Sequence, residues 1–116
     1  QYALTYPKRM HLDMKHLDFK ELLTLEFMPP RVDDFPALNL AYEVGKIGGF
    51  KPAVFNAANE TAVYAFLDGK IIFSDIYKIV TAVLESMGTD DDFTLDNLLA
   101  IDQWARIKAS EFINRR

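Results

Sequence analysis

The stretch PAVFNAANETAVYAFLDGKI, residues 52–71, decides the fold, because it is a long helix with apolar side chains on almost every side. A helix advances 100° per residue, which puts Asn56, Asn59 and Glu60 on one face with Val63 and Leu67. The other sides carry alanine, valine and phenylalanine. A helix that is apolar nearly all round is largely buried, and buried polar side chains need hydrogen-bond partners. We therefore predict that Asn56, Asn59 and Glu60 form a buried polar patch.

Composition sets the class of protein. The chain has 116 residues, half of them hydrophobic, which suits one domain with one core. Its net charge of −4 has the wrong sign for a nucleic-acid surface, and no apolar run approaches the ~20 residues of a membrane span. The absence of cysteine excludes disulfides and a thiol nucleophile. We expect a cytoplasmic protein and, since the chain starts at Gln1, a piece of a longer one.

Four helices follow from the apolar periodicity and from capping residues after residue 32. The first helix is expected to begin near Asp33 or Asp34, with Pro36 in its first turn, and to end at Gly48 and Gly49. The remaining three are expected from Pro52 to Gly69, from Ser74 to Gly88, and from Thr94 to the C-terminus. Short connections between four helices predict an up-and-down four-helix bundle over residues 33–116.

Residues 1–32 differ from the rest and are predicted to form an extended N-terminal arm. A broken helical turn is expected before Pro7, which stops it. The alternation in LTLEF, residues 23–27, predicts one short strand, which must pair with a strand in this chain or outside it. The predicted fold class is therefore mainly α, a four-helix bundle preceded by an extended arm with one short strand.

Three segments carry residue types that bind metals or phosphates, and none predicts a site. The first segment, HLDMKHLD, offers His11, Asp13, His16 and Asp18, but in no common zinc spacing. Asp90, Asp91 and Asp92 lack the spaced ligands of an EF-hand. The GKIGG segment, residues 45–49, lies at a helix end, where the dipole repels phosphate. We predict no catalytic, cofactor-binding or metal-ligating residue in this chain.

The segment VFNAANETAVYAFLDGKIIFSDI, residues 54–76, resembles the family of 1-deoxy-D-xylulose 5-phosphate reductoisomerases, with Phe55 where the family usually has leucine. The resemblance extends outward through YALTYPKR, LDF, FPALNLAYEVGKIGG and LLAIDQWARIKA, in family order. It covers essentially the whole chain. What it matches is the C-terminal part of the family alone.

This resemblance implies a parent enzyme that converts 1-deoxy-D-xylulose 5-phosphate to 2-C-methyl-D-erythritol 4-phosphate in isoprenoid precursor synthesis. The family uses NADPH and a divalent cation, Mg or Mn, and its metal ligands and substrate-binding groups precede the matched part. The implied partners are the catalytic and NADPH-binding domains of a homodimeric parent. A stand-alone helical module for protein interaction is the alternative.

Two roles are open for Asn56, Asn59 and Glu60. They contact the linker or the catalytic domain of the parent, or they cap neighbouring helix ends inside the bundle. Both roles supply the partners that buried polar groups require.

Overall fold

The computed structural model describes residues 1–14, 18–20, 22, 24–88 and 92–115, and it is mainly helical. The four helices expected from the sequence are confirmed, and the short turn before Pro7 is present as well. None of the helices in these ranges is long and apolar enough to cross a membrane. The elements are α1 (Tyr2–Thr5), α2 (Ala37–Ile47), α3 (Lys51–Leu67), α4 (Phe73–Glu85) and α5 (Leu95–Asn114).

Several helix ends are formed by the residues that the sequence indicates. At the end of α2, Gly48 has a φ of 72°, and its N–H donates to the Val44 carbonyl at 3.0 Å. Gly69 follows α3 with a φ of 70°, a conformation that glycine adopts without a steric cost. The Thr94 hydroxyl oxygen accepts a hydrogen bond from the Asn97 N–H at 3.2 Å and caps α5.

Two predicted caps are wrong. The helix α2 starts at Ala37, after Pro36 in a helical conformation, and Asp34 instead pairs with Arg31 at 3.1 Å. The helix α4 starts at Phe73, so Ser74 lies within its first turn. The carboxylate of Asp75 accepts the Ile72 N–H at 3.4 Å, as an acid at the third helical position does when it reaches back. The N-cap lies two positions earlier than predicted, at Ile72, because Asp75 supplies the acceptor for the Ile72 N–H.

The core is built around α3, which packs against α2, α4 and α5, while α4 also packs against α5. Small side chains dominate it, and the largest fully buried side chains are the valines Val54 and Val83. Larger apolar side chains, among them Phe55, Trp104 and Phe112, pack partly buried around these small residues. The buried alanines are Ala57, Ala58, Ala62 and Ala65 on α3 and Ala105 and Ala109 on α5.

The arm stands away from this core. The described residues form no strand: Thr24–Phe27 have no regular structure, and Leu23 lies outside the described residues. The side chains of Leu25 and Phe27 are 82% and 90% exposed. The radius of gyration is 19.2 Å, against about 13 Å for a compact domain of this length. The alternating pattern finds no partner strand in the described part of the chain, and a lone strand is not stable in water.

Overpacking of this small-residue core should destabilise the fold. Ala105 is fully buried where α5 meets α3, so Ala105→Leu should lower the free energy of unfolding by ~1–3 kcal/mol. Ala100→Leu, on the exposed side of the same helix, is the matched control and should change it by less than ~0.5 kcal/mol. Urea unfolding followed by circular dichroism measures both, and equal midpoints for the two variants would contradict close packing at Ala105.

Candidate functional site

The three polar residues of α3 lie at the protein surface rather than in a buried patch. Asn56 is exposed, Asn59 is half-buried, and the side chain of Glu60 is 47% exposed. The predicted burial is therefore wrong for Asn56 and Glu60. Their face of α3 points away from the alanine face that packs on α4 and α5, because Ala58 and Ala62 lie on the opposite side of the helix.

Glu60 belongs to an ion-pair network that joins α3 to α5. Its Oε2 accepts a hydrogen bond from Nη2 of Arg106 at 2.7 Å. The same guanidinium donates from Nε to Oδ2 of Asp102 at 2.8 Å and from Nη2 to Oδ1 at 3.3 Å. A planar guanidinium suits this arrangement, because its donors are fixed in a fork that matches a carboxylate.

The network raises the pKa of the Arg106 guanidinium above its usual range, first through the hydrogen bond to Asp102 and second through the one to Glu60. Two carboxylates around one cation leave the network with a net charge of −1. The Arg106 side chain is 40% exposed, so solvent screens these interactions and limits their effect on stability. The second oxygen of Glu60 makes no hydrogen bond among the described residues and remains available as an acceptor.

Asn56 and Asn59 have no hydrogen-bond partner in the part of the chain that the structure describes. Neither amide caps a helix end there, which is the role that the alternative interpretation gave them. The exposed amide of Asn56 has water as its partner and carries no penalty, so the fold itself does not require this side chain. A contact of Asn56, Asn59 and Glu60 with another domain stays a prediction.

A second surface feature is an apolar groove beside this face, which we call the α3–α4 groove. It has a volume of about 450 Å³ and lies between the turn that leads into α2, one side of α3 and the start of α4. Asn59 lines it, so the groove adjoins the polar residues of α3. The apolar side chains that line the groove are Phe35, Pro36, Ala37, Val63, Phe73, Ile76 and the ring of Tyr77.

The segments that carry potential metal ligands do not assemble into a site. Among the described residues, no three His, Asp or Glu side chains come together. His11, Asp13 and Asp18 are exposed, whereas His16, Asp90 and Asp91 lie outside the described residues. The described residues therefore do not fit a divalent cation. Gly45 and Lys46 lie in the last turn of α2, which places the negative end of the helix dipole where a cofactor phosphate would have to bind.

Sequence reasoning missed two features of this surface. Asp102 and Arg106 are four residues apart with the acid first, a spacing that favours an ion pair on a helix. This ion pair could have been predicted from the sequence. Their contact with Glu60 depends on how α3 crosses α5, which local spacing does not contain. The α3–α4 groove could not be predicted from the sequence either, because the residues that line it come from three separate segments.

Residues 1–108 match the sequence profile of the DXP reductoisomerase C-terminal domain. This chain belongs to that family.

The curated relatives are 1-deoxy-D-xylulose 5-phosphate reductoisomerases. The chain is 47% identical to the enzyme of Desulforamulus reducens over 113 residues, which are 97% of this chain and 29% of the relative. It is 43% identical to enzyme 1 of Bacillus cereus over 116 residues, which are 100% of this chain and 30% of the relative. The chain thus spans about three-tenths of the length of the relatives that it matches.

Solved structures of such reductoisomerases share the fold of this chain. The enzyme from Zymomonas mobilis in complex with NADPH superposes with a TM-score of 0.83 at 46% identity, covering 97% of this chain and 30% of that one. A reductoisomerase in complex with NADPH, fosmidomycin and magnesium has a TM-score of 0.83 at 34% identity over the same shares of the two chains. Both of these enzymes bind NADPH, and the second also binds magnesium.

Replacement of Glu60 should have a small effect on stability, in contrast to replacement of a buried acid. Glu60→Ala should cost less than ~1 kcal/mol, because the lost ion pair is solvent-exposed and Arg106 keeps Asp102. Asp75→Ala should cost ~1–3 kcal/mol, because Asp75 is buried and caps the start of α4. Thermal unfolding of both variants checks the contrast, and an equal loss in the two would contradict the exposure of Glu60.

Proposed function

We propose that this chain is the C-terminal helical domain of an enzyme that converts 1-deoxy-D-xylulose 5-phosphate to 2-C-methyl-D-erythritol 4-phosphate with NADPH and a divalent cation. The observation that carries the proposal is the family match over residues 1–108, together with relatives of which this chain forms about three-tenths. The reaction belongs to the parent, in the non-mevalonate isoprenoid pathway. The parent is a cytoplasmic homodimer in this proposal.

In this proposal the domain supports the catalytic part and supplies no catalytic group. Residues 1–32 are the arm that connects it to the catalytic part, with a short strand at residues 23–27 when a partner strand is present, and residues 33–116 are the four-helix bundle domain. The absence of an assembled ligand set among the described residues is consistent with this division of labour. The partners of the domain are the catalytic and NADPH-binding domains, without nucleic acid or membrane.

We infer that Asn56, Asn59 and Glu60 are contacts between this domain and the catalytic part. Three properties support this role. The amides of Asn56 and Asn59 have no hydrogen-bond partner in the described residues. One carboxylate oxygen of Glu60 makes no hydrogen bond there. Asn59 lines the apolar α3–α4 groove, and Asn56 and Glu60 lie on the same face of α3 as Asn59. An apolar surface flanked by unpaired polar groups has the composition of an interface between domains.

The intact mass of the protein in its native host distinguishes this proposal from a stand-alone interaction module. Because the chain covers about three-tenths of its relatives, a continuous product more than three times as long supports the reductoisomerase domain. A native product of 116 residues would support the stand-alone module instead, and the exposed apolar side chains of the arm would then serve partner binding.

The isolated chain should not bind NADPH at micromolar concentration. The described residues contain no cluster of three or more side chains that could hold a metal ion, and the glycines of residues 45–49 end a helix instead of starting one. Isothermal titration calorimetry of the chain with NADPH should give no saturable heat, whereas the full-length parent as a control should bind. Saturable binding to residues 1–116 alone would contradict the proposed division of labour.

Substitutions at the proposed contact should lower the activity of the parent without unfolding this domain. Asn56→Ala removes one amide, and a lost hydrogen bond of ~1 kcal/mol corresponds to a roughly fivefold change in kcat/KM. Asn39→Ala, an exposed amide on α2, is the matched control and should leave kcat/KM unchanged. Oxidation of NADPH by the full-length enzyme measures both. If the two variants have the same kcat/KM while the enzyme is active, the contact is wrong and the enzyme assignment stands.

A further inference from the structure

The Arg106 guanidinium joins two acids that lie on different helices. From Nε and Nη2 it donates to the two oxygens of Asp102, one turn earlier on α5, at 2.8 and 3.3 Å. From Nη2 it also donates to Oε2 of Glu60 on α3 at 2.7 Å. The two parallel bonds to Asp102 fix the plane of the guanidinium, and hydrogen bonds between charged groups are stronger than those between neutral ones. Asp102 therefore orients Arg106, and Arg106 orients the carboxylate of Glu60.

This network acts on geometry more than on stability. Its three side chains are all at least 36% exposed, so solvent screens the attraction between their charges. The packing of α3 against α5 depends instead on buried small residues, among them Ala105 and Ala109 on the α5 side. A glutamate in water moves among several rotamers, whereas a strong hydrogen bond at one oxygen favours a single conformation. The network thus keeps the Glu60 side chain in one orientation.

Another acid of α5 shows what is particular to Glu60. Glu111 accepts from Lys108 at 2.9 Å and lies 3.7 Å from Arg115, so all its ion pairs stay within one helix. The ion pair of Glu60 crosses from α3 to α5. Glu60 also lies on the face of α3 that carries Asn56 and Asn59. An acid of that face is therefore oriented from a different helix.

We propose that Arg106 and Asp102 are positioning residues for the contact between this domain and the catalytic part of the parent. Arg106 holds Oε2 of Glu60, and Oε1 accepts a hydrogen bond from a donor of the catalytic part. This role rests on the proposed function, which places Glu60 in that contact. A side chain that is ordered before it binds does not lose its conformational freedom on binding, a saving that corresponds to about two- to tenfold in affinity.

The first test measures the orientation of the Glu60 side chain. In the 116-residue chain, NMR three-bond couplings across χ1 and χ2 of Glu60 should indicate one rotamer. Glu43, an exposed helical glutamate without an ion pair among the described residues, is the internal control and should show averaged couplings. Arg106→Lys keeps the positive charge but has no planar fork, so the Glu60 couplings should become averaged as well. Averaged couplings of Glu60 in the wild type would overturn the proposal.

The second test is the kcat/KM of the full-length enzyme. Asp102→Ala should lower kcat/KM about two- to tenfold, although the Asp102 carboxylate accepts hydrogen bonds from its own helix alone among the described residues. Glu111→Ala, which also removes ion pairs within α5, is the matched control and should leave kcat/KM unchanged. In a Glu60→Ala background, Asp102→Ala should have no further effect, because the side chain that Asp102 helps to position is gone. A merely structural role of Asp102 would lower kcat/KM equally in both backgrounds.

The outcomes distinguish this role from the proposed function. If the full-length protein reduces 1-deoxy-D-xylulose 5-phosphate with NADPH, and Asp102→Ala has the same effect with and without Glu60 or none at all, Arg106 and Asp102 do not position Glu60 and the enzyme assignment stands. If the full-length protein has no such activity, the proposed function is wrong, and the positioning role that rests on it is wrong too. Thermal unfolding verifies that each variant is folded at the temperature of the assay.

Discussion

The close packing of small side chains along one face of α3 is the constraint on which the rest of the structure depends. Ala57, Ala58, Ala62 and Ala65 are buried on α3, which packs against α4 and α5, and Val54 and Val83 are the largest fully buried side chains among the described residues. Small residues on a helix face allow a neighbouring helix to approach closely and to pack without voids. Asn56, Asn59 and Glu60 lie on the other face of α3.

Much apolar surface remains outside this core. Phe50 is buried and packs against the exposed ring of Phe93 with ring centres 5.0 Å apart. Phe66 and Phe73, which both remain partly in water, pack against each other at 5.8 Å. None of the described residues of the arm belongs to the buried core. A chain with more apolar surface than its own core covers requires a partner for the remainder, whether another domain or another copy.

Local signals in the sequence were sufficient for the helices and for part of their ends. Glycine at positive φ and a threonine before a periodic segment act through their immediate neighbours, so Gly48, Gly69 and Thr94 could be assigned from the sequence. The start of α4 was not assigned correctly, because Ser74 is itself a good N-cap residue, whereas in the structure Asp75 at the third helical position accepts the Ile72 N–H. The strand predicted at residues 23–27 is not confirmed, because the described residues Thr24–Phe27 have no regular structure and strand formation depends on a partner that the pattern does not supply.

The exposure of Glu60 was the least predictable feature, and the reason lies in the sequence of α3 itself. A helix with apolar residues on all sides gives the hydrophobic period no contrast, so the period cannot show which side faces the core. Residue size carried that information, because the side lined with alanine is the side where other helices approach. With that face assigned, Glu60 falls at the edge of the contact with α5, where Arg106 reaches it from Asp102. An acid at such an edge can bind a cation within its own domain and still present one oxygen to a neighbour. Glu60 thus belongs both to the fold and to the surface on which we place the contact with the catalytic part.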